Sequence, residues 1–287
     1  MNVTIRAAQP ADAVACGQIS YAAFKAFRER HGFPAHFPTV EAAIGRAEFC
    51  INHPSSYGVV AECEGQVIGS NFLDERDPIR GLGPITVDPH LQAKGVGRQL
   101  MEAVLKRAQG STGVRLVADS FSMSSVSLYA SLGFEIKEPL LLMSGRPASK
   151  PSREIEVRPL ENDDVGDCAV LCGRVHGCER TNELRDAVIN LSPLVAFREG
   201  KVAGYVLTFT TWPSNHAVAD GEEAIQSSLL AAAILNSGLL SFLLPVRQAN
   251  LYRWCLSEGF RAVLPMTLMA LGKYQDPDGF YMSSILY

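Results

Sequence analysis

The stretch ITVDPHLQAKGVGRQLM, residues 85–101, decides the fold of the chain. Its β-branched start predicts a strand that ends at Asp88-Pro89, and a loop with Gly95 and Gly97 follows. Apolar residues at helical spacing then predict an amphipathic helix over 98–108. A strand, a glycine loop and a helix start direct free backbone N–H groups at an anion, and glycines let a pyrophosphate approach closely.

The spacing of these glycines excludes two common phosphate loops. The stretch contains neither G-x-x-x-x-G-K-[ST] nor G-x-G-x-x-G, so it predicts neither a P-loop nor a dinucleotide-binding fingerprint.

A family resemblance becomes specific when two motifs are taken together. Gln92-x-x-Gly95-x-Gly97 after Thr86-Val87-Asp88-Pro89 resembles the acyl-CoA-binding motif of the GNAT superfamily of N-acyltransferases. Downstream, LYASLGF at residues 128–134 resembles the closing helix and turn of that family. The family often has Asn and Ala where this chain has Ser122 and Ser125, whose hydroxyls can still form hydrogen bonds.

The resemblance implies that acyl-CoA inserts its pantetheine arm beside the strand before the motif. Gly83-Pro84 suits a strand that stops pairing there, because proline lacks an N–H and glycine permits a bulge. Backbone groups of this strand would hold the pantetheine amides and the oxyanion, and the loop would hold the pyrophosphate. The candidate cofactor-binding residues are Ile85, Thr86, Val87, Gln92, Ala93, Lys94, Gly95, Val96, Gly97, Arg98, Ser122 and Ser125.

The motif position of Tyr129 implies a general acid that protonates the departing CoA thiolate; the alternative is a core aromatic residue. An amine nucleophile must also lose a proton, and Glu75 is the candidate general base. Asp74, Asp77 and Asp119 are further candidates. The run 74–77 is also typical of a solvated charged turn, and a water relay could replace a direct base.

An internal repeat organises the rest of the chain. Residues 60–69 recur at 195–204, and both segments predict a β-hairpin with a Glu-Gly turn. Residues 3–6 with Asp12 resemble 155–158 with Asp164, and Leu132-Gly133-Phe134 resembles Glu258-Gly259-Phe260. Three matches in the same order indicate duplication, although hairpins also look alike by chance.

The segment 144–152 is rich in Pro, Gly and Ser and predicts an exposed linker. We therefore expect an α/β fold with mixed sheets in two tandem GNAT-like domains: a catalytic domain at 1–145, a linker at 146–152 and a degenerate domain at 153–287. The first half has extra residues around 27–40, with aromatic and histidine side chains that could cover the acceptor or form a simple hydrophobic lid.

The second half has lost the cofactor motif. At the equivalent position, residues 218–227 lack Q-x-x-G-x-G and carry Asp220, Glu222 and Glu223, which would repel a pyrophosphate. Cys255 stands where the first half has Tyr129. We expect the second half to bind no CoA ester. It would either shape the acceptor pocket or stabilise the first half.

Composition and charge narrow the possible ligands and cellular location of the chain. The net charge of the 287-residue chain is −4, divided into +1 for residues 1–150 and −5 for the rest, which argues against nucleic-acid binding. Residues 224–246 carry no charge but are interrupted by Asn236-Ser237-Gly238, so we predict a buried helix at about 222–236 and a strand at about 239–244 rather than a membrane span. Seven scattered cysteines and the absence of a signal segment favour a reducing, cytoplasmic compartment.

One segment has the residue types of a metal site but is also typical of core packing. Cys168, Cys172, His176 and Cys178 follow one face of a predicted helix. Zinc sites usually draw ligands from separate turns, and cysteine is commonly a small core residue, so we expect no metal.

The function expected from these residues is an acetyl-CoA-dependent N-acetyltransferase. The resemblance implies direct attack by a primary amine, on a small molecule or a peptide, in a ternary complex. The alternatives are a non-catalytic CoA-ester sensor and an acyltransferase that uses a longer acyl-CoA or an alcohol. The sequence fixes neither the acceptor nor the oligomeric state.

Overall fold

The computed structural model of the chain describes residues 2–91 and 95–286. They divide into two compact units, the first formed by residues up to 76 with 80–114 and the second by residues 77–79 with 115 onward. The elements that lie mainly in the first unit are β1 (Thr4–Ala7), α1 (Ala13–Arg30), α2 (Val40–Asn52), β2 (Ser56–Cys63), β3 (Gln66–Asp74), β4 (Ile79–Leu82), β5 (Thr86–Val87) and α3 (Val96–Arg107).

The second unit contains the remaining strands and helices. They are β6 (Gly113–Asp119), α4 (Met123–Ser131), β7 (Glu135–Gly145), β8 (Ile155–Pro159), α5 (Val165–His176), α6 (Thr181–Asn190), β9 (Leu194–Arg198), β10 (Lys201–Val206), β11 (Ala217–Ala219), α7 (Glu222–Leu235), β12 (Leu240–Pro245), α8 (Ala249–Ser257), β13 (Arg261–Gly272) and β14 (Phe280–Met282). The predicted mixed α/β architecture is confirmed, and both halves of the sequence follow the same order of elements as far as β7 and β13, except that the first half also contains β4.

In the first unit, the antiparallel strands β1, β2, β3 and β4 lie side by side, and β5 also pairs with β3. The chain leaves the sheet between β4 and β5, where Gly83 has a φ of +131°. Helices α1 and α3 pack against β3, and α1 also packs against α2. Strand β5 is thereby held between its own sheet and α1, directly before the glycine loop.

The two predicted hairpins are confirmed in detail. Glu64-Gly65 turns between β2 and β3, and Glu199-Gly200 turns between β9 and β10. All four turn residues have φ between 51° and 78°, the conformation of a type I′ turn, which explains why glycine is needed at the second position. Each hairpin also has a register shift near its turn, next to Ile68 in one copy and Ala203 in the other.

The second unit contains two sheets. One has the order β6-β13-β7-β12, and the other has the order β14-β11-β10-β9-β8. Strands β7 and β13 occupy equivalent places in the two halves, yet they pair with each other in antiparallel fashion, so each half contributes a strand beside the other's. Leu140 pairs with Met266, its own counterpart at an offset of 126, which places a local pseudo-twofold axis at this pair.

This strand exchange explains why the compact units do not coincide with the two halves of the sequence. The domain limits at 145 and 153 therefore stay a prediction about the ancestral repeat. The charge-free segment forms α7 and β12, close to the predicted helix and strand. No helix within the described ranges, 2–91 and 95–286, has the length and apolar character needed to cross a membrane.

Candidate functional site

The site begins at β5, the short strand before the glycine loop. Among the described strands, β5 pairs with β3 alone, through Gly69–Val87 and Ser70–Thr86. Thr86 is buried, and its hydroxyl lies 3.0 Å from the hydroxyl of Ser20 on α1. Ile85 and Val87 are half-buried. The predicted pantetheine-binding strand is therefore fixed on one edge by β3 and on one face by α1.

A close backbone approach holds β5 against β3. A Cβ built on Gly69 would lie 2.8 Å from the carbonyl oxygen of Thr86 and 3.3 Å from the Cα of Val87. No side chain fits in that space, so only glycine lets the two strands come this close.

The glycine loop ends in a helix start suited to an anion. Gly95 precedes α3 with a left-handed φ of +81°, and Gln99 N–H donates to Gly95 O at 3.2 Å as the first helical bond. The N–H groups of Val96, Gly97 and Arg98 stand before that bond, where a helix offers no backbone acceptor of its own. The exposed Arg98 lies 3.8 Å from Glu102. The candidate residues Gln92, Ala93 and Lys94 lie outside the described residues.

In the second unit, the predicted residues Ser122, Ser125 and Tyr129 lie together on α4. Ser122 Oγ donates to Ser125 Oγ at 2.8 Å, and Ser125 in turn forms a hydrogen bond with the phenol of Tyr129. Tyr129 is 7% exposed and packs edge-on against Phe134 at 6.3 Å. A relay in which the two serines donate toward the phenol oxygen leaves the phenol proton available for another acceptor.

Burial raises the pKa of Tyr129 to about 12, and the nearby carboxylate of Asp119 acts in the same direction. A thiol has a pKa of about 8.5, so a phenol with this pKa does not give up its proton fully to a thiolate. It stays protonated at neutral pH and can donate a hydrogen bond to a developing negative charge.

Two of the candidate general bases already form ion pairs with arginine side chains. Glu75 forms a forked ion pair with Arg107, with Nη2 2.9 Å from Oε2 and Nε 3.1 Å from Oε1. Asp74 is bound in the same forked manner by Arg76. Each carboxylate therefore already binds a cation, which competes with a proton for its lone pairs and makes it a weaker base.

Of the other two candidate bases, one binds backbone N–H groups and the other is buried. Asp77 accepts hydrogen bonds from the backbone N–H groups of Asn182 and Glu183, at 3.0 and 3.1 Å. It therefore caps the start of α6 in the second half. Asp119 is 7% exposed, beside Tyr129.

The extra residues of the first half lengthen α1 and form the connection to α2. There Phe24 stacks on His36 at 4.3 Å, and Phe37 meets Phe24 edge-on at 6.0 Å. Burial lowers the pKa of His36 well below its usual value, so its ring stays neutral. These residues form an aromatic cluster within the first unit.

The segment considered for metal binding is part of a core. Cys168 and Cys172 are fully buried among apolar side chains of α5, and burial raises the pKa of each thiol to about 12. Within the part of the chain that the structure describes, no three His, Cys, Asp or Glu side chains are grouped to hold a metal ion.

Comparison with known families gives one match. Residues 54–136 match the family model described as "Acetyltransferase (GNAT) domain". That segment contains β2 to α4 and most of the residues discussed above. No curated protein matches the chain.

Solved structures match almost the whole chain. A presumed acetyltransferase from Pyrococcus horikoshii superposes with a TM-score of 0.78 at 17% identity, covering 99% of this chain and 95% of its own. A GCN5-related N-acetyltransferase from Sphaerobacter thermophilus gives 0.60 at 14% identity, with 96% and 98% covered. A tandem GNAT protein from the clavulanic acid biosynthesis pathway gives 0.58 at 14% identity, with 96% and 100% covered. These likenesses confirm the predicted tandem fold.

Two features of the structure were not predicted from the sequence. The Ser20–Thr86 contact joins residues far apart in the chain, and no local pattern indicates it. The strand β14 follows the last repeat element. Its aromatic residues after Asp278-Gly279 were the available signal for a strand.

Proposed function

We propose that this chain, whose residues 54–136 match the GNAT acetyltransferase domain model and whose fold is that of tandem GNAT proteins, is an acetyl-CoA-dependent N-acetyltransferase. One observation carries the proposal: among the described strands β5 pairs with β3 alone, and further along the chain Gly95 starts α3 with a left-handed φ. An extended amide-bearing arm fits the first feature, and a pyrophosphate fits the second.

In the proposed reaction, a primary amine attacks the thioester carbonyl directly. A C–N bond forms, and the carbonyl oxygen becomes an oxyanion that a backbone N–H of the strand at 85–87 stabilises. Collapse breaks the C–S bond and releases CoA thiolate. The amine proton passes to water or to a carboxylate, and the thiolate takes up a proton from water, so the products are an amide and a thiol.

Tyr129 keeps its proposed place at the leaving group, on the strength of its position in the LYASLGF motif. Its raised pKa favours a hydrogen bond to the thiolate over complete proton transfer. Glu75 remains the proposed base, and the ion pair with Arg107 requires that the substrate displace the guanidinium or that water carry the proton.

The acceptor is proposed to be a small-molecule or peptide amine. In this proposal the aromatic cluster of Phe24, His36 and Phe37 covers an apolar part of the acceptor. A non-catalytic CoA-ester sensor is the second candidate, because Asp74, Glu75 and Asp77 each already bind a cation or backbone N–H groups.

The test is calorimetric titration of acetyl-CoA and CoA into the wild type, Gly97→Glu and Gln109→Glu. Gly97→Glu places a carboxylate at the helix start, and the expected result is a loss of affinity of at least tenfold. Gln109→Glu adds the same charge at an exposed position beyond α3 and should bind normally.

Binding without thiol release across a panel of amines would favour the sensor. Absence of binding by the wild type would overturn both candidates. An acyl-chain series then separates acetyl from longer donors.

A further inference from the structure

The second half contains a counterpart of β5. Strand β11 pairs with β10 through Gly204–Ala219 and Tyr205–Val218, as β5 pairs with β3 through Gly69–Val87 and Ser70–Thr86. A Cβ on Gly204 would lie 3.0 Å from the Cβ of Ala219, so the close approach is repeated as well. In each half this strand lies between the hairpin and the motif helix, α3 or α7, and in the first half β4 also precedes it.

The free edge of this counterpart is filled. On the side away from β10, β11 pairs with β14 through Ala217–Met282, Val218–Tyr281 and Ala219–Phe280. On its other side, β14 approaches β12, where Ser283 N–H donates to Leu243 O at 3.3 Å. Tyr281, Met282 and Ser283 are at most 1% exposed. The strand β14 is therefore inserted between β11 and β12.

The side chain that precedes α8 also holds β14. Gln248 Nε2 donates to the carbonyl oxygen of Tyr281 at 2.6 Å. Gln248 precedes α8 as Ser122 precedes α4, and their offset of 126 is that of the Gly-Phe repeat. Ser122 is the residue proposed to hold the cofactor, so the same position in the second half holds a peptide carbonyl.

We infer that residues 279–284 occupy the second half's counterpart of the acyl-CoA slot, where their peptide backbone takes the place of a pantetheine arm. Pantetheine is an extended chain with two amide groups, and a β-strand offers the same alternation of donors and acceptors. The slot is thus a peptide-strand site closed by the chain itself. The comparison with pantetheine rests on the proposed function of the first half, whereas the peptide site does not.

The test uses a chain that ends at Asp278, together with a synthetic peptide of residues 279–287, GFYMSSILY. The shortened chain is expected to melt at least about 5 °C below the full chain, because a buried strand is missing. The peptide should bind it at one per chain and restore the melting temperature, while the full chain binds none. A peptide with proline in place of Met282 should bind at least tenfold more weakly, since proline removes an N–H from the pairing.

Pantetheine, which lacks the pyrophosphate, is the second probe. It should displace the peptide from the shortened chain, even though Asp220, Glu222 and Glu223 disfavour a phosphate there. Peptide binding without displacement by pantetheine overturns the pantetheine comparison and leaves the peptide site. A shortened chain that melts like the full chain and ignores the peptide overturns the whole inference. None of these readouts depends on turnover, so failure of the proposed function is recognised separately.

Full-length variants keep the inference testable when the shortened chain does not fold. Gln248→Ala removes the bond to Tyr281, whereas Gln226→Ala removes only a contact with Glu222 at the start of α7. Hydrogen exchange of residues 280–283 should be slow in the wild type and at least tenfold faster in Gln248→Ala, with β9 and β10 unchanged. Fast exchange of these amides in the wild type contradicts the inference.

Discussion

Arg158 and Asp164 form a forked ion pair, with Nη1–Oδ2 at 2.8 Å and Nη2–Oδ1 at 2.7 Å. Arg6 and Asp12 repeat it at an offset of 152, at 2.7 and 2.9 Å. In both copies the carboxylate also accepts a backbone N–H three residues upstream, at 2.9 and 2.8 Å. The guanidinium thus ties the first strand of each half to the turn that starts its first helix. Agreement at this level makes duplication a better explanation than chance similarity of hairpins.

The forked ion pair should stabilise the fold in both halves. Asp164→Asn and Asp12→Asn are each expected to lower the free energy of unfolding by about 1–3 kcal/mol, because each leaves a guanidinium and an N–H without their charged acceptor. Urea denaturation at pH 7 measures this. In an Arg158→Met background, the further cost of Asp164→Asn should fall by half or more.

The pH dependence of the fork has a defined sign. The guanidinium lowers the pKa of Asp12 and Asp164 below its usual value. Such a group stabilises the fold above its unfolded pKa of about 3.9 and loses that contribution as the pH falls through the lower folded value. The difference between wild type and Asp164→Asn should therefore shrink below pH 4, and a difference that persists unchanged at pH 2 would contradict the ion-pair explanation.

The fold was predictable wherever a local signal and the repeat agreed. The Glu-Gly turns require positive φ, so Glu64-Gly65 and Glu199-Gly200 could be identified from two residues each. The break at Asn236-Ser237-Gly238 separated a helix from a strand inside an apolar run. The exchange of β7 and β13 was not predictable, because no local sequence pattern encodes whether a strand pairs within its own half or with the other.

The candidate site was predictable in position more than in detail. The motif located β5, α3 and Tyr129, whereas the partners of the acidic residues depend on distant parts of the chain. Arg107, which binds Glu75, is the last residue of α3, and Asp77 caps α6 in the second half. Sequence spacing alone cannot show that such a carboxylate is already occupied.

The close approach at Gly69 should control cofactor affinity. Gly69→Ala forces β5 away from β3, since the new Cβ would meet Thr86 O at 2.8 Å, and acetyl-CoA affinity is expected to fall about tenfold or more. Gly204→Ala makes the matched change at β11 and should lower stability while leaving acetyl-CoA affinity unchanged. Calorimetry with a thermal melt of each variant measures both effects. Equal loss of affinity in the two variants would contradict the assignment of β5.

The phenol of Tyr129 should act on turnover rather than on binding. Tyr129→Phe keeps the packing against Phe134 and removes the hydroxyl, so we expect kcat to fall about 10–100-fold with little change in KM. Because its pKa is about 12, the phenol stays protonated throughout the assay range, and the wild type should show no loss of kcat from this group between pH 7 and 10. Ser125→Ala, which removes the hydrogen bond to the phenol, should give a smaller loss.

One buried and one half-buried histidine should make the second half sensitive to acid. His176 and His216 face each other with Nε2 atoms 3.3 Å apart, and burial lowers the pKa of His176 to about 3 and that of His216 well below its usual value. A histidine with a lowered folded pKa stabilises the fold above its unfolded pKa of about 6.5 and loses that contribution as the pH falls toward the folded value. The stability of the wild type should therefore decline from pH 6.5 to 4.

Replacing His176 with Gln should make that decline shallower, by about 1 kcal/mol per pH unit or less. Denaturation curves at several pH values measure it. Gln109→Ala is the control, because Gln109 is exposed and carries no titratable group, so its replacement should leave the slope as it is.

The ion pair between Glu75 and Arg107 allows a direct test of the base. If Glu75 accepts the amine proton, Glu75→Gln should lower kcat about 100-fold or more, and Arg107→Gln should leave or raise activity, because it frees the carboxylate. If the pair is structural, the two substitutions should lower the free energy of unfolding by similar, small amounts, because exposed ion pairs contribute about 0–1 kcal/mol. Neither substitution should then change the pH profile of kcat. Rate–pH profiles of the two variants distinguish these outcomes. Loss of the acidic limb in Glu75→Gln alone would support Glu75 as the general base. Unchanged profiles in both variants would indicate that water carries the amine proton.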